Sequence, residues 1–173
     1  AERVISYIIN NIDYKLFCPV LVVIDSSDNG YTINPAIKQY KLGILSIKFS
    51  FFSLRKIIKA ENPDIVMSTL TYLNTYLGLI KPFLSFGNTK FIARESTIPS
   101  LNNKRHRLHF FYDLLTRLSY KQYIKIICQS NDMLFDLENY FKVPTAKLTI
   151  INNPIDNSIL ENNKLSSFKV KPS

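Results

Sequence analysis

The sequence predicts an α/β domain built on a mostly parallel sheet. Two observations carry that expectation. Short β-branched runs recur along the chain, and most are separated by segments with helical apolar spacing. A third is size: 173 residues, 46% of them hydrophobic, suffice for one well-cored domain.

The chain opens on an amphipathic helix, with Val4, Ile5, Ile8, Ile9 and Ile12 at helical spacing. Cys18 to Asp25, CPVLVVID, is a continuous run of the kind buried on both faces of a parallel sheet. The turn-rich DSSDNG follows. Leu42 to Phe49 is expected as a second strand, and Ser53 to Asn62 as a helix capped by Ser53. Pro63 ends that helix ahead of a third strand, Asp64 to Ser68. Tyr72 to Leu84 reads as a helix, Thr89 to Arg94 as a strand, and Lys104 to Tyr123 as a long helix. Ile124 to Ser130 is the next strand, and Asn131 or Asp132 is placed to cap a helix through Phe141. Lys147 to Ile151 is the last strand. One sheet is expected to hold Val20–Ile24, Ile65–Met67, Phe91–Ala93, Ile126–Cys128 and Leu148–Ile151. Right-handed crossovers between parallel strands make this a Rossmann-like fold, with helices on both faces. Such a fold normally starts on a strand, whereas this sequence starts on a helix and without Met, as a piece of a longer product would.

A net charge of +9 favours an anionic partner: nucleic acid, a phosphorylated substrate or an acidic membrane face. No apolar run reaches the roughly 18 residues of a membrane-spanning helix. The opening AERVISYIINN lacks the regions of a signal peptide. Cys18 and Cys128, without a CxxC pair, read as reduced core thiols of a cytosolic protein. Neither GxGxxG, GxxxxGK[ST] nor HExxH occurs, which argues against a dinucleotide, P-loop or zinc-hydrolase site. His106 and His109 sit among Lys104, Arg105 and Arg107, a solvated basic surface rather than a metal site. With no nucleic-acid motif, nucleic acid is not an expected partner.

In open α/β sheets, ligands collect beyond the carboxyl ends of the strands. The sequence places Asp25 to Asp28, Ser68 to Thr71, Arg94 to Thr97 and Gln129 to Asn131 there. These hydroxyls, amides and one Arg-Glu pair suit a polyhydroxylated ligand.

AERV, DIVMSTLTYLN, ARESTIP and CQSNDMLFDLENYFKVPTAKLTIINNPID, in this order, resemble the N-terminal domain of family 4 retaining glycosyltransferases. The stretch from Gln129 to Asp156 is the long and specific part of the likeness. The resemblance implies one half of a GT-B arrangement of two Rossmann-like domains. Residues 1–156 would be the acceptor-binding domain and 157–173 a polar tail or the start of the connection. A donor-binding C-terminal domain would lie outside this sequence, so the chain alone is expected to be inactive. Pro154 fixes its own φ and restricts Asn153, a rigid exit from the last strand.

The implied reaction moves a sugar, with retention, from a nucleotide-diphosphate donor to a glycan or polyprenyl-diphosphate-linked acceptor. Its setting would be bacterial surface-polysaccharide biosynthesis, such as O-antigen or capsule, with neither metal nor cofactor. By the same resemblance, Glu95 is the expected catalytic residue. Ser68, Thr71, Asn74, Arg94, Ser96 and Thr97 are expected on the acceptor, and Arg3 on the donor-phosphate side. Two departures stand out: the family's Gly-Gly turn does not precede Ala1, and Ser96 stands where the family often has His or Arg.

Leu108, Phe111, Leu115 and Leu118 share helical spacing beside a basic cluster. Lys104, Arg105, Arg107 and Phe111 are therefore candidates to face an anionic bilayer, placing the protein in the cytoplasm and peripherally at the inner face of the cell membrane. The competing explanation is a helix packed on the sheet with a charged edge. For the protein as a whole, the alternative to a transferase is a non-catalytic Rossmann-like module binding an anionic ligand.

Overall fold

The computed structural model describes residues 2–25, 31–84 and 87–154. In chain order these form α1 (Glu2–Asn11), β1 (Val20–Val23), β2 (Lys38–Lys41), α2 (Phe51–Glu61), β3 (Ile65–Thr69) and α3 (Thr71–Leu84). β4 (Lys90–Arg94), α4 (Pro99–Asn103), α5 (His109–Tyr120), β5 (Lys125–Cys128), α6 (Asn131–Phe135) and β6 (Leu148–Ile150) complete the set. The predicted polar tail lies outside the described residues.

Four strands form a parallel sheet in the order β3-β4-β5-β6, each crossing over through a helix to its neighbour. The register aligns Ser68, Ala93, Ile126 and Leu148 in one row across the sheet, and all four are buried. Leu54, Ile58, Leu77, Leu84, Phe91, Tyr120, Leu137 and Phe141 close the core around that row. Each such aliphatic or aromatic side chain removed from water contributes about 1.5–3 kcal/mol before entropy is counted.

The α/β architecture with parallel strands and flanking helices is the predicted one. Six local expectations are corrected. The strands do not form one sheet: β1 pairs in parallel with β2 alone, separate from the other four. The second strand is not Leu42–Phe49 but the polar Lys38–Lys41, an edge strand that can remain wet and so carries no apolar signal. Pairing with β1 runs on only to Ile44, whose N–H donates to the Ile24 carbonyl. Gly43 then takes φ +63°, and a tight turn at Ile47–Phe49 replaces the extended run.

α2 starts after Ser50 rather than Ser53, and the Ser50 hydroxyl donates back to the Ile47 carbonyl instead of capping. Asn62 in the left-handed region ahead of Pro63 ends the helix as expected. Ser130, not Asn131 or Asp132, caps α6 through its hydroxyl, which accepts from the Met133 N–H. The long helix predicted from Lys104 begins only at His109, as α5, and the short α4 ends at Asn103 before it. At the end of α4, the Arg105 and His106 N–H groups turn back onto the Asn102 and Asn103 carbonyls, breaking the helix.

Cys128 is buried, which pushes its thiol up to about 12 and leaves it inert, whereas Cys18 is exposed rather than in the core. No helix among the described residues is long and apolar enough to cross a membrane.

α3 and α5 meet at Gly78. A Cβ built there lies 2.6 Å from the Ser119 carbonyl oxygen and 2.7 Å from its Cβ. The better helix propensity of alanine would add up to about 1 kcal/mol, but the clash is with backbone and cannot be relieved by a rotamer. Gly78→Ala is expected to lower stability by about 1–3 kcal/mol, read as a reduced urea midpoint at unchanged m-value.

Candidate functional site

β3 delivers its last residue, Thr69, to a sharp turn at Leu70, where φ is +82°. That conformation is costly for a leucine, by about 1–2 kcal/mol, and it starts α3 at once. The Leu70 carbonyl accepts from the Asn74 N–H at 2.8 Å. Thr71 and Asn74, three apart on the first turn, are therefore both buried against the end of β4.

There they meet Glu95. Its sequence position suggested the open rim of the sheet, within reach of a sugar hydroxyl; the structure buries it completely. One carboxylate oxygen accepts from Thr71 Oγ1 at 2.7 Å, the other from Asn74 Nδ2 and the Tyr120 hydroxyl. Its N–H donates to the Ile127 carbonyl at 2.9 Å, and its own carbonyl accepts from Gln129 Nε2 at 2.5 Å. Burial pushes the carboxyl up to about 7, against the pull of the bonds from Tyr120, Thr71 and Asn74. Burial and the neighbouring carboxylate in turn hold the Tyr120 hydroxyl well above its ordinary range.

Asn74 has no spare hydrogen. Its amide oxygen accepts from Ser68 Oγ at 2.7 Å, and its NH2 serves both the Arg94 carbonyl at 3.1 Å and Glu95. Arg94 reaches sideways, donating to Thr69 Oγ1 at 3.2 Å and to Asn153 Oδ1. It thereby ties the end of β3 to the segment that leaves β6 just before Pro154.

The surface layer lies above. With Glu95 ionised, Thr71 spends its one hydroxyl hydrogen on it, so in the 2.9 Å contact between the two threonines Thr97 is the donor. Thr97 is exposed and Ser96 half-buried. A cavity of about 160 Å³ is lined by Thr97, Ile98, Leu101, Asn102 and Arg105. A larger one, about 600 Å³, lies beside β1 and the carboxyl end of β3; Glu2, Asp25, Lys41, Thr69 and Tyr72 are in its lining. β1 lines it and pairs on one side only, so this space is as much an unfilled strand edge as a ligand site.

The structure thus gathers Ser68, Thr71, Asn74, Arg94, Glu95 and Thr97 into one bonded cluster. Arg3 stands apart, exposed on α1. Lys104, Arg105, Arg107 and Phe111 are exposed on the turn into α5 and on that helix. Tyr120, Tyr123 and Asn153 belong to the cluster without having been singled out for it. Tyr123 donates to the Asn74 carbonyl at 2.6 Å, and nothing in its sequence context distinguishes it from a core aromatic.

Glu95 makes stability pH-dependent. Its folded-state value of about 7 exceeds the ordinary 4.5, so the folded chain holds a proton that the unfolded chain releases. The contribution is full below pH 4.5 and is lost as pH rises through about 7, on the order of 3 kcal/mol in all. Glu95→Gln keeps the shape, and Thr71 can accept from the new NH2. The variant is expected to lose this slope, giving flatter urea midpoints from about pH 5 to about pH 8 than the parent.

The family model described as Glycosyltransferase Family 4 matches residues 26–158. No curated protein matches the chain.

Proposed function

The chain belongs to glycosyltransferase family 4, and we propose that it forms the acceptor-side half of a two-domain, GT-B enzyme that transfers sugar with retention. The donor is a nucleotide-diphosphate sugar. The acceptor is a glycan or a polyprenyl-diphosphate-linked sugar, as in the assembly of bacterial surface polysaccharides. The family match over 26–158 is the observation that carries this reading.

In such a transfer the bond from the anomeric carbon to the diphosphate oxygen breaks, and one to an acceptor hydroxyl forms as its proton leaves. Retention requires the acceptor oxygen to reach the face that the diphosphate leaves. Rate comes from holding donor and acceptor in that arrangement and from stabilising charge on the departing diphosphate. Arg3, exposed at the start of α1, is available to that diphosphate. Thr97 is the best-placed acceptor contact. Because its hydrogen is directed inward to Thr71, its oxygen keeps lone pairs for a sugar hydroxyl. Ser96 adds a neighbouring hydroxyl.

Glu95 touches no solvent, so its part is positioning: through Thr71 it sets which way the Thr97 hydroxyl points. Ser68 and Asn74 hold Glu95 in place, and Arg94 fixes the exit segment at Asn153.

The test is turnover by the product of the complete reading frame, offered nucleotide sugars and lipid-linked or free glycans, with products read by mass spectrometry. Thr97→Ala is expected to raise the acceptor KM about 3- to 10-fold, the value of one neutral hydrogen bond, at nearly constant kcat and thermal midpoint. An unchanged KM for every acceptor used would remove Thr97 from the site. Absence of any sugar transfer would remove the reaction itself.

A further inference from the structure

α5 is inside out. Three of its four buried positions, beside Tyr120, are polar: Asp113, Thr116 and Ser119 are 7%, 1% and 0% exposed. Its outward positions are apolar: Phe110, Phe111, Leu114 and Leu118 are 78%, 56%, 52% and 45% exposed. Phe110, Leu114 and Leu118 are spaced four apart, so they follow one line along the helix, with Phe111 beside it. Leu101 and Leu108, at 54% and 65%, extend the patch along the α4–α5 connection.

The polar side is held inward by specific bonds, so the helix cannot roll to hide its apolar side. Asn103 Nδ2 donates to Asp113 Oδ1 at 2.9 Å and to Thr116 Oγ1 at 3.1 Å. The Tyr140 hydroxyl donates to the other Asp113 oxygen at 2.5 Å. Gly78 brings α3 against Ser119, fixing the same face from the other end.

Along this segment the exposed charge has one sign. Between Pro99 and Lys125 the sequence carries Lys104, Arg105, Arg107, Arg117, Lys121 and Lys125, all exposed, against one acid, the buried Asp113. None of these cations is in an ion pair; among the described residues the ion pair is Lys38–Glu61.

We propose that α5 and the turn before it dock on an anionic lipid bilayer. Phe110, Phe111, Leu114 and Leu118 enter the acyl boundary, and Lys104, Arg105 and Arg107 lie against headgroup phosphates. An apolar stripe on a segment whose exposed charges are all cations complements such a surface in both respects. A protein groove would have to match the stripe and supply acidic groups as well. Arg105 also lines the small cavity with Thr97, so the docked face runs into the acceptor side. The inference does not rest on the transferase reading, and its test needs no sugar.

The test is co-sedimentation of the protein with phosphatidylcholine vesicles containing about 30% phosphatidylglycerol, against phosphatidylcholine alone. Binding to the anionic vesicles alone, weakened by salt, is expected. Phe110→Ser combined with Leu114→Ser should reduce partitioning at least about tenfold with an unchanged thermal midpoint, since both side chains are exposed. Lys104→Glu combined with Arg107→Glu, which leaves the apolar stripe intact, should do the same. Equal binding by parent and both variants would overturn the proposal. So would failure to bind vesicles, whether the protein is a monomer or a dimer that Phe110→Ser with Leu114→Ser dissociates; the dimer would make a second copy the true occupant.

Discussion

The carboxylate of Glu95 is the point on which the carboxyl ends of the strands converge. It stands at the end of β4, accepts from Thr71 and Asn74 on the first turn of α3, and accepts from Tyr120 at the last turn of α5. Its own backbone is pinned by Ile127 and Gln129 at β5. A carboxylate taken wholly out of water survives only when its oxygens are supplied with donors. That demand dictates the neighbourhood. Leu70 accepts a left-handed backbone so that Thr71 and Asn74 arrive together, and Asn74 must in turn satisfy its amide oxygen with Ser68.

The same requirement shapes α5. A helix that sends Tyr120 to a buried carboxylate and Asp113 and Thr116 to Asn103 presents a polar side to the interior. Phe110, Phe111, Leu114 and Leu118 are left outside. The exposed stripe is thus a consequence of how the cluster and the α4–α5 packing are satisfied, and the cations around it follow the sequence that breaks the helix at Lys104 to Leu108. β1 and β2 stand outside this arrangement. They are joined to the rest by Val22 and Leu42 packing on the core and by Lys38 and Tyr40 bonding to Glu61 at the end of α2. The ion pair is exposed, so the apolar contacts do most of the holding.

Much of the cluster was legible because two independent arguments met on the same residues. The rule that ligands gather beyond parallel strand ends selected Ser68 to Thr71 and Arg94 to Thr97, and the family likeness selected Glu95 and Thr97. Neither could set depth. The two residues Glu95 and Thr97 are two apart in sequence, yet one is fully buried and the other exposed. Tyr120 was unreadable for a different reason. Helical periodicity assigns the apolar stripe to the interior, and in α5 that assumption is inverted, so Leu108, Phe111 and Leu118 read as equally fit for core or surface.

The sequence by itself determined the alternation of elements, the parallel four-strand run from β3 to β6, and the Asn-Pro exit after the last strand. Those depend on local periodicity and on residues a few positions apart, which a chain carries with it before it folds. The tertiary structure alone decided the burial of Glu95, the inversion of α5 and the separation of β1 and β2 from the larger sheet. Each is settled by partners distant in sequence: Tyr120 lies 25 residues from Glu95, and Asn153 lies 59 from Arg94. Local patterning is silent on which such pairs meet, because the desolvation of a polar group is fixed only when the whole surround has closed over it.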